Sequence, residues 1–269
     1  MKRRVAIITG AAGGIGRSIV QRFLEEGYAL ALIDQSEAAM HQANPYLKDY
    51  ADQTLLIAGD LTDDLFLKAI VGQVVDKWSR IDVLINNAIW RKTESLAEST
   101  LEDWNKTIAI GITAPAFLSK YVAEAIIPLG HSCCILNLSS VMSTFVSGYA
   151  SAYTVCKGAI ESLTYELATL YGPKGFRAVA IRPGSVDTAL STDYEDPNGD
   201  NVSCHIQREV ENRTALNRSA KAIEIAEALV WLASEKASFI TGTCITIDGG
   251  LEHNFNPYDI KKLLKPNQF

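Results

Sequence analysis

The chain has 269 residues, of which 48% are hydrophobic and 21% are charged, and its formal net charge is −6. This length and apolar content are sufficient for one large α/β core. The modest negative charge excludes the basic field that a nucleic-acid-binding protein needs, and no run approaches the roughly 20 consecutive apolar residues of a membrane span.

The cysteines and histidines show no recognisable ligand or disulfide framework. The 5 cysteines have no Cys-x-x-Cys spacing, and the 4 histidines are scattered along the chain. We therefore expect reduced thiols, no metal site and a cytoplasmic location.

The chain begins with a predicted strand, a glycine-rich turn and a helix. Arg4–Thr9 is a short β-branched run, and Thr9–Gly16 has the pattern T-G-x-x-x-G-x-G before a helical apolar periodicity. Glycines in this context permit a tight turn and the close approach of a pyrophosphate to helix amides. A P-loop would need lysine at Arg17, and a G-x-G-x-x-G fingerprint would need glycine at Ile19. A dinucleotide-binding turn and a merely glycine-rich turn are the two interpretations left.

The second predicted strand, Ala29–Ile33, ends at Asp34. An acidic residue about 20 positions after the glycines suits a bidentate contact with the ribose hydroxyls of an adenosine. The 2′-phosphate of NADP would meet this carboxylate, and neither Gly13 nor Gln35 provides a compensating positive charge. The sequence therefore favours NAD over NADP.

Strands and helices continue to alternate after Asp34. We predict a third strand at Leu55–Ala58, a helix at Asp63–Trp78 and a fourth strand at Val83–Ile85. This alternation predicts a parallel sheet with right-handed crossovers, and ligands of such sheets bind at the carboxyl ends of the strands. The residues that follow those ends are Gly10, Asp34, Asp60 and Asn87.

A long helix is predicted at Ser99–Ile127, and it begins with a capping box if Ser99 is the cap. Pro115 lies within this helix and has no N–H for the carbonyl four residues earlier, which belongs to Gly111. We expect a kink with a free Gly111 carbonyl. The alternative is a simple bend around neighbouring side chains.

The second half of the chain repeats the alternation of strand and helix. Its elements are predicted at Cys133–Leu138, Ser151–Tyr171, Phe176–Ile181, Ile223–Leu232 and Cys244–Ile247. The charged, turn-forming segment Asp193–Asn201 is the best candidate for a mobile lid. We predict one dinucleotide-binding and catalytic domain over residues 1–250, a substrate lid over about 189–216, and a C-terminal extension over 251–269.

Tyr153 and Lys157 provide a candidate proton-transfer pair. On a helix they are i and i+4, so that their side chains leave the same face about 6 Å apart. An ammonium at this distance would lower the tyrosine pKa from its usual value near 10 and make the phenol usable as a general acid or base. Ser140 follows the fifth strand. Its hydroxyl either contacts the substrate or caps a backbone amide.

Together these features resemble the short-chain dehydrogenase/reductase family. The match runs from Arg4 to Gly250. The motifs are, in order, Thr9–Gly16, Asp34, Asp60-Leu61, Asn86-Asn87-Ala88, Ser140 with Tyr153 and Lys157, and Pro183–Thr188. The resemblance implies an α/β, Rossmann-type doubly wound parallel sheet of about seven strands in the order 3-2-1-4-5-6-7, with helices on both faces.

The resemblance also implies a role for each site residue. The NAD-binding residues would be Gly10, Gly14, Ile15, Gly16, Asp34, Asp60, Leu61, Asn87, Ala88, Tyr153, Lys157, Pro183, Gly184, Val186 and Thr188. Ser140 would donate a hydrogen bond to the substrate oxygen, and Tyr153 would exchange the proton. Lys157 would lower the pKa of Tyr153 and bind the nicotinamide ribose. Asp60 and Leu61 would hold the adenine ring.

Two positions depart from the family pattern. Ile89 replaces the usual glycine after Asn-Asn-Ala, and the asparagine of the family's proton relay falls on Gly111. In the family, the backbone carbonyl at that position holds a water next to the lysine. Either the kink at Pro115 preserves this site, so that Gly111 takes part through its backbone, or the relay is partly impaired.

The function implied is that of an NAD-dependent oxidoreductase interconverting a secondary alcohol and a ketone on a small polar substrate (sugar, polyol or hydroxy acid). A 3-oxoacyl thioester reductase is an alternative, although such enzymes usually take NADPH, against which Asp34 argues. A catalytically impaired NAD-binding sensor or scaffold is a second alternative. The pocket candidates are Trp90, Arg91, Ser147, Tyr149, Ser185 and Ala189. Arg91 either pairs with a substrate carboxylate or is solvated, and the apolar tail favours a homotetramer or dimer.

Overall fold

The computed structural model describes residues 3–196 and 198–269. Its first half alternates parallel strands and helices, because short β-branched runs and segments of helical periodicity follow each other along the chain. The elements are β1 (Val5–Thr9), α1 (Gly14–Glu25), β2 (Ala29–Asp34), α2 (Glu37–Ala43), β3 (Thr54–Ala58), α3 (Asp64–Trp78), β4 (Val83–Asn86), α4 (Leu101–Ile108) and α5 (Ala114–Ile126). Helix α2 was not predicted, since it is short and presents one buried apolar residue, Met40.

The second half continues the same pattern. The elements are β5 (Cys134–Leu138), α6 (Ser151–Tyr171), β6 (Arg177–Pro183), β7 (Val186–Asp187), α7 (Ser203–Arg213), β8 (Ala220–Lys221), α8 (Ala222–Ala233), β9 (Thr243–Ile247) and α9 (Tyr258–Leu264). The predicted bounds of α6 are confirmed. Helices α7 and α9 lie in segments to which the sequence assigned no helix.

Seven strands form one parallel sheet in the order β3-β2-β1-β4-β5-β6-β9. This is the predicted order, because β9 is the seventh strand of this sheet along the chain. Consecutive residues of β1 face opposite sides: Ile7 packs into the cluster that contains α3 and α5, and Ile8 into the one that contains α1 and α8. Both side chains are fully buried. Helices therefore cover both faces, as the apolar character of the strands requires.

The segment from α4 to α5 is where the structure departs most from the predicted continuous helix. The N-cap is Thr100, whose hydroxyl accepts a hydrogen bond from the Asp103 amide at 3.1 Å. Ser99 is not the cap, and its buried hydroxyl has no partner in residues 3–196 and 198–269. A π-helical turn, Ala109–Thr113, separates α4 from α5, and Pro115 lies in the first turn of α5.

Residues 101–129 together form a helical stretch that is long and apolar enough to cross a membrane. No run of this kind is predicted from the sequence. However, 56% of its most apolar window is buried inside the fold, where Leu118 and Val122 belong to the cluster that also contains Ile7. A core helix of this kind meets the same length and hydropathy criteria.

The predicted lid follows β7 and leads into α7. The Asp196 carboxylate accepts hydrogen bonds from the amides of Asn198, at 2.8 Å, and Asp200, at 3.0 Å. Pro197, which falls within the predicted lid, lies outside the described residues. The mobility of this segment and the division of the chain at residues 189–216 and 251–269 stay predictions.

The C-terminal segment packs onto the end of α7. The Asn254 side chain donates to the Arg213 carbonyl at 2.7 Å, and the Tyr258 hydroxyl donates to the Ala215 carbonyl at 2.8 Å. The side-chain amide of Asn212 donates to the Asp259 carboxylate at 2.9 Å. These contacts hold α9 against the same chain.

Candidate active site

The glycine-rich turn after β1 is packed too tightly for side chains at two of its positions. Gly10 has a φ of +67°, in the left-handed region that favours glycine. A Cβ on Gly16 would lie 2.0 Å from the Gly10 carbonyl oxygen. Gly16 therefore lets α1 approach the turn and does not itself line the cleft described below, and its contact with the cofactor stays a prediction.

Asn87 fastens the end of β4 to this turn. Its side-chain amide donates to the Thr9 and Gly10 carbonyls, each at 3.0 Å, and its backbone N–H donates to the Thr9 hydroxyl at 3.0 Å. The Ala88 amide donates to the same hydroxyl at 3.1 Å. Neighbouring strand ends are thereby held in a fixed arrangement.

A cleft of about 500 Å³ follows the carboxyl ends of the strands. It brings together twelve of the predicted cofactor residues: Gly10, Gly14, Ile15, Asp34, Asp60, Leu61, Asn87, Ala88, Tyr153, Lys157, Pro183 and Thr188. Residues that the sequence did not single out for this cleft also line it, among them Gly59, Ile110, Leu138 and Leu190. These are mostly apolar walls, for which no motif exists.

Asp34 is oriented by backbone amides at the edge of this cleft. Its carboxylate accepts from Ala12 N–H at 2.9 Å and from Gln35 N–H at 2.8 Å. Among the described residues, Lys157 is the only lysine or arginine that lines the cleft. The glycine turn, the fixed carboxylate and the volume fit a dinucleotide.

A second cavity, of about 280 Å³, adjoins the cleft. Ser140 and four of the candidate pocket residues, Arg91, Ser147, Tyr149 and Ser185, line it. Gly184 and Val186 line this cavity and not the cleft, and Trp90 and Ala189 line the cleft and not this cavity. From the sequence, Gly184 and Val186 are assigned to the cofactor and Trp90 and Ala189 to the substrate pocket.

Tyr153 lies where the two cavities meet. It lines both of them, whereas Ser140 lines only the second cavity and Lys157 only the cleft. The Ser140 hydroxyl also accepts from the Met142 amide at 3.2 Å. Lys157 is buried, donates from Nζ to the Leu138 carbonyl at 2.5 Å, and lies 5.4 Å from the centroid of the Tyr153 ring.

Burial dominates the titration of both groups. It raises the pKa of Tyr153, because the phenolate loses hydration inside the protein, and the Ser140 hydroxyl and the Arg91 guanidinium only partly oppose this shift. It also lowers the pKa of Lys157 to about 8. The expected depression of the Tyr153 pKa by Lys157 is therefore wrong, since desolvation outweighs the neighbouring charges.

Glu161 binds the residues on both sides of Ser140, and it was not identified from the sequence. Its carboxylate accepts from the hydroxyls of Ser139, at 2.6 Å, and Ser143, at 2.7 Å, and pairs with Arg182 at 2.5 Å. Arg182 holds the pKa of this buried carboxyl below its usual range, against the effect of desolvation. The i+4 spacing from Lys157 on α6 was the available signal.

Gly111 lies in the π-helical turn and lines neither cavity. A Cβ at this position would be 2.8 Å from Ile89 Cδ1 and 2.9 Å from Cys156 Sγ. The side chain of Ile89 thus occupies the space that a larger residue at position 111 would need. The two departures from the family pattern are in direct contact.

Comparison with known proteins agrees with this geometry. A family model described as enoyl-(acyl carrier protein) reductase matches residues 10–252. The cis-4-hydroxycyclohexanecarboxylate dehydrogenase of Sinomonas cyclohexanicum is 31% identical over 248 residues, covering 92% of this chain and 96% of that protein. The meso-2,3-butanediol dehydrogenase of Serratia marcescens is 30% identical over 247 residues, covering 92% and 94%.

A short chain dehydrogenase from Bacillus anthracis has a similar solved structure. The TM-score is 0.84 at 24% identity, over 94% of this chain and 98% of that chain. At this identity the likeness supports the fold alone. With the family match and the two dehydrogenases, the chain belongs to the short-chain dehydrogenase/reductase family and is an oxidoreductase of CH–OH groups that uses a nicotinamide cofactor.

Proposed function

We propose that the protein is an NAD-dependent dehydrogenase that interconverts a secondary alcohol and a ketone on a small polar substrate: a sugar, polyol or hydroxy acid. The position of Tyr153 carries this proposal, because it alone of the three candidate catalytic side chains lines both the cleft and the second cavity. A proton-transfer group is needed where substrate and cofactor meet.

In this mechanism, Ser140 donates a hydrogen bond to the substrate oxygen and holds it beside Tyr153. During oxidation the phenolate of Tyr153 takes the hydroxyl proton, and during reduction the phenol returns it to the carbonyl oxygen. NAD⁺ bound in the cleft would accept the hydride from the carbinol carbon. Lys157 would hold the ribose hydroxyls, and Asp34 those of the adenosine.

The raised pKa of Tyr153 gives the two directions different pH dependences. At neutral pH the side chain is a phenol, ready to donate a proton for ketone reduction. Alcohol oxidation needs the phenolate, so its rate is expected to rise with pH through the alkaline range.

The main test compares wild type with Tyr153→Phe on a panel of secondary alcohols with NAD⁺ and NADP⁺. The panel includes cis-4-hydroxycyclohexanecarboxylate and meso-2,3-butanediol, which the names of the two relatives suggest. We expect NADH formation with kcat/KM higher for NAD⁺, and a loss of about 10²- to 10⁴-fold in Tyr153→Phe. Tyr165→Phe is the matched control, because Tyr165 lies on α6 but is 43% exposed and lines neither cavity.

The description of the matching family model names a reductase of the double bond of an acyl thioester, and a second candidate acts on the same class of molecule: a 3-oxoacyl thioester reductase. Acetoacetyl-CoA with NADPH separates it from the first: a kcat/KM above that of every alcohol–NAD⁺ pair would select it. If NAD⁺ binds by calorimetry but no alcohol, ketone or thioester is converted, a cofactor-binding sensor or scaffold is the remaining function.

A further inference from the structure

Arg91 is a buried cation in the wall of the second cavity, from here on the substrate cavity. Its side chain is only 4% exposed. One terminal nitrogen donates to the Tyr194 hydroxyl at 2.8 Å, and the other donates to the Leu190 carbonyl at 2.8 Å and to the Asp193 carboxylate. All three partners belong to the predicted lid, so that these contacts fix the plane of the guanidinium.

The remaining nitrogen of this side chain has no acceptor. Nε of Arg91 is buried, and no residue in the part of the chain that the structure describes accepts a hydrogen bond from it. A buried donor on a charged group is unfavourable until an acceptor replaces the lost water. The Arg91 guanidinium at the wall of the substrate cavity therefore has hydrogen-bonding capacity that no described residue satisfies, and a carboxylate is the acceptor that binds a guanidinium most strongly.

The charged side chains that line the substrate cavity are both cations, and the anion paired with Arg91, Asp193, does not line it. Arg91 and Arg213 line it, and among residues 3–196 and 198–269 no aspartate or glutamate does. Arg213 lies at the end of α7 and is exposed, and its side chain forms no ion pair with a described residue. Cavity walls with cations and no anions raise the local concentration of anionic ligands.

Much of the remaining wall is apolar. The apolar side chains include Met142, Phe145, Val146, Ile206, Val210 and Leu251. The cavity also presents polar side chains, among them Ser147, Tyr149 and Gln207, and its apolar part favours the burial of a hydrocarbon body. The hydroxyl to be oxidised would lie at Ser140 and Tyr153.

We propose that the preferred substrate is a hydroxy acid with a hydrocarbon body, whose carboxylate lies against the Arg91 guanidinium while Arg213 adds positive charge at the same cavity. This inference rests on the proposed function and narrows it. The reaction converts the hydroxy acid and NAD⁺ into the keto acid, NADH and a proton, and the carboxylate is unchanged.

The test measures kcat/KM with NAD⁺ for two acids and their uncharged methyl esters: 3-hydroxybutanoate and cis-4-hydroxycyclohexanecarboxylate. For at least one pair, wild type is expected to prefer the acid at least tenfold. Arg91→Gln should reduce this acid-to-ester ratio at least tenfold, and Arg91→Lys should retain part of it, since it keeps the charge but not the planar donor. Arg208→Gln is the matched control, because Arg208 is exposed on α7 and does not line the cavity.

Asp193→Asn should change the acid-to-ester ratio in the direction opposite to Arg91→Gln. It removes a negative charge next to Arg91, so the KM for the acid should fall while the acid-to-ester ratio rises. Thermal unfolding of each variant identifies those that fail to fold.

Three results separate the outcomes. Equal losses for acid and ester in Arg91→Gln would mean that Arg91 only anchors the lid, and would overturn the inference. A wild type that oxidises esters or polyols as well as the acids would reject the inference and leave the proposed function intact. Absence of turnover with every alcohol would reject the proposed function. In that case calorimetry would measure the binding of the two acids to the NAD⁺-loaded protein. Weaker binding to Arg91→Gln than to wild type would support the carboxylate site, and equal binding would reject it.

Discussion

The contact between Ile89 and Gly111 explains a pair of residues that the sequence left as separate departures. The family pattern has glycine at the first position and asparagine at the second, and this chain has a large and a small residue in the reverse places. Because a Cβ on Gly111 would be 2.8 Å from Ile89 Cδ1, the side chain of Ile89 occupies space that a side chain at position 111 would need. A change at one position therefore depends on the residue at the other.

Gly111→Asn should destabilise the protein, because overpacking a buried site costs about 1–3 kcal/mol. The double variant Ile89→Gly, Gly111→Asn should recover part of this loss, and Cys156, whose Sγ would be 2.9 Å from the new Cβ, limits the recovery. Urea unfolding of the two single variants and the double variant measures the coupling energy. Additivity within about 0.5 kcal/mol would show that the positions are independent.

Because the pKa of Lys157 is lowered, the free energy of unfolding should depend on pH in the alkaline range. Its pKa is about 8 in the folded protein, against a usual value of 10.5, so between these values the unfolded chain binds the additional proton. The free energy of unfolding therefore rises with pH from about 8 to 10.5, by at most roughly 3 kcal/mol. Below pH 8 both states are protonated and the penalty is constant.

The measurement is urea unfolding of wild type and Lys157→Met across this range without added cofactor. Wild type should gain stability relative to the variant as the pH rises. Lys48→Met, which removes an exposed lysine, controls for the loss of a surface charge. A constant difference between wild type and Lys157→Met would contradict the depressed pKa.

At the residue scale, the spacing in the sequence was sufficient to bring Ser140, Tyr153 and Lys157 to one place, since strand ends and i+4 positions have fixed geometry. It could not give the direction of the Tyr153 shift. That direction depends on how much protein encloses the phenol, because desolvation raises the Tyr153 pKa, and residue spacing does not determine this enclosure.

At the element scale, Pro115 and the π-helical turn before it belong together. Proline has no N–H to donate. In the turn before it the backbone hydrogen bonds span five residues instead of four, and the Ala114 amide donates to the Ala109 carbonyl. The predicted kink corresponds to this turn. The turn contains Gly111 and packs against α6, so the predicted proton relay would depend on it.

Pro115→Ala restores an N–H that can donate to the Gly111 carbonyl, and should convert the turn toward regular helix. We expect higher thermal stability, because an interior proline costs about 3 kcal/mol where it breaks a helix, together with a lower kcat. The kcat–pH profile and the melting temperature are measured on the same preparations. An unchanged kcat and profile would show that the turn has no part in proton transfer.

The parallel sheet followed from the alternation of strands with helices, and the order of its seven strands followed from the family resemblance. The cap of α4 and the position of helix α7 could not be predicted from the sequence. Ser99 and Thr100 are both good caps, and only the bond from Asp103 to Thr100 distinguishes them. Helix α7 has little apolar periodicity, and it forms where the lid packs over the substrate cavity.

At the scale of the whole molecule, the C-terminal segment offers a surface for self-association. Phe255, Leu263 and Leu264 are 92%, 78% and 65% exposed. We expect the double change Leu263→Glu, Leu264→Glu to reduce the mass in solution from a tetramer or dimer, because charge opposes burial at an interface. These positions are preferable to deletion of the tail, which would also remove the contacts of Asn254 and Tyr258 with the end of α7 and the residues after it.

Light scattering after size exclusion gives the mass. Leu65→Glu is the control, since Leu65 is 73% exposed on α3, away from the tail. An unchanged mass in the double variant would place any subunit contact elsewhere.

The contacts between α9 and α7 also have a practical consequence for anyone who prepares this protein. The ring of Phe269 packs edge-on against Tyr258, at 6.2 Å between centroids. An affinity tag fused after Phe269 would therefore disturb α9 and, through it, α7, whose residues line the substrate cavity. A tag placed ahead of β1 would instead emerge at the amino ends of the strands, on the edge of the sheet opposite the chemistry. Kinetic constants should therefore be compared only between preparations that carry the tag at the same end.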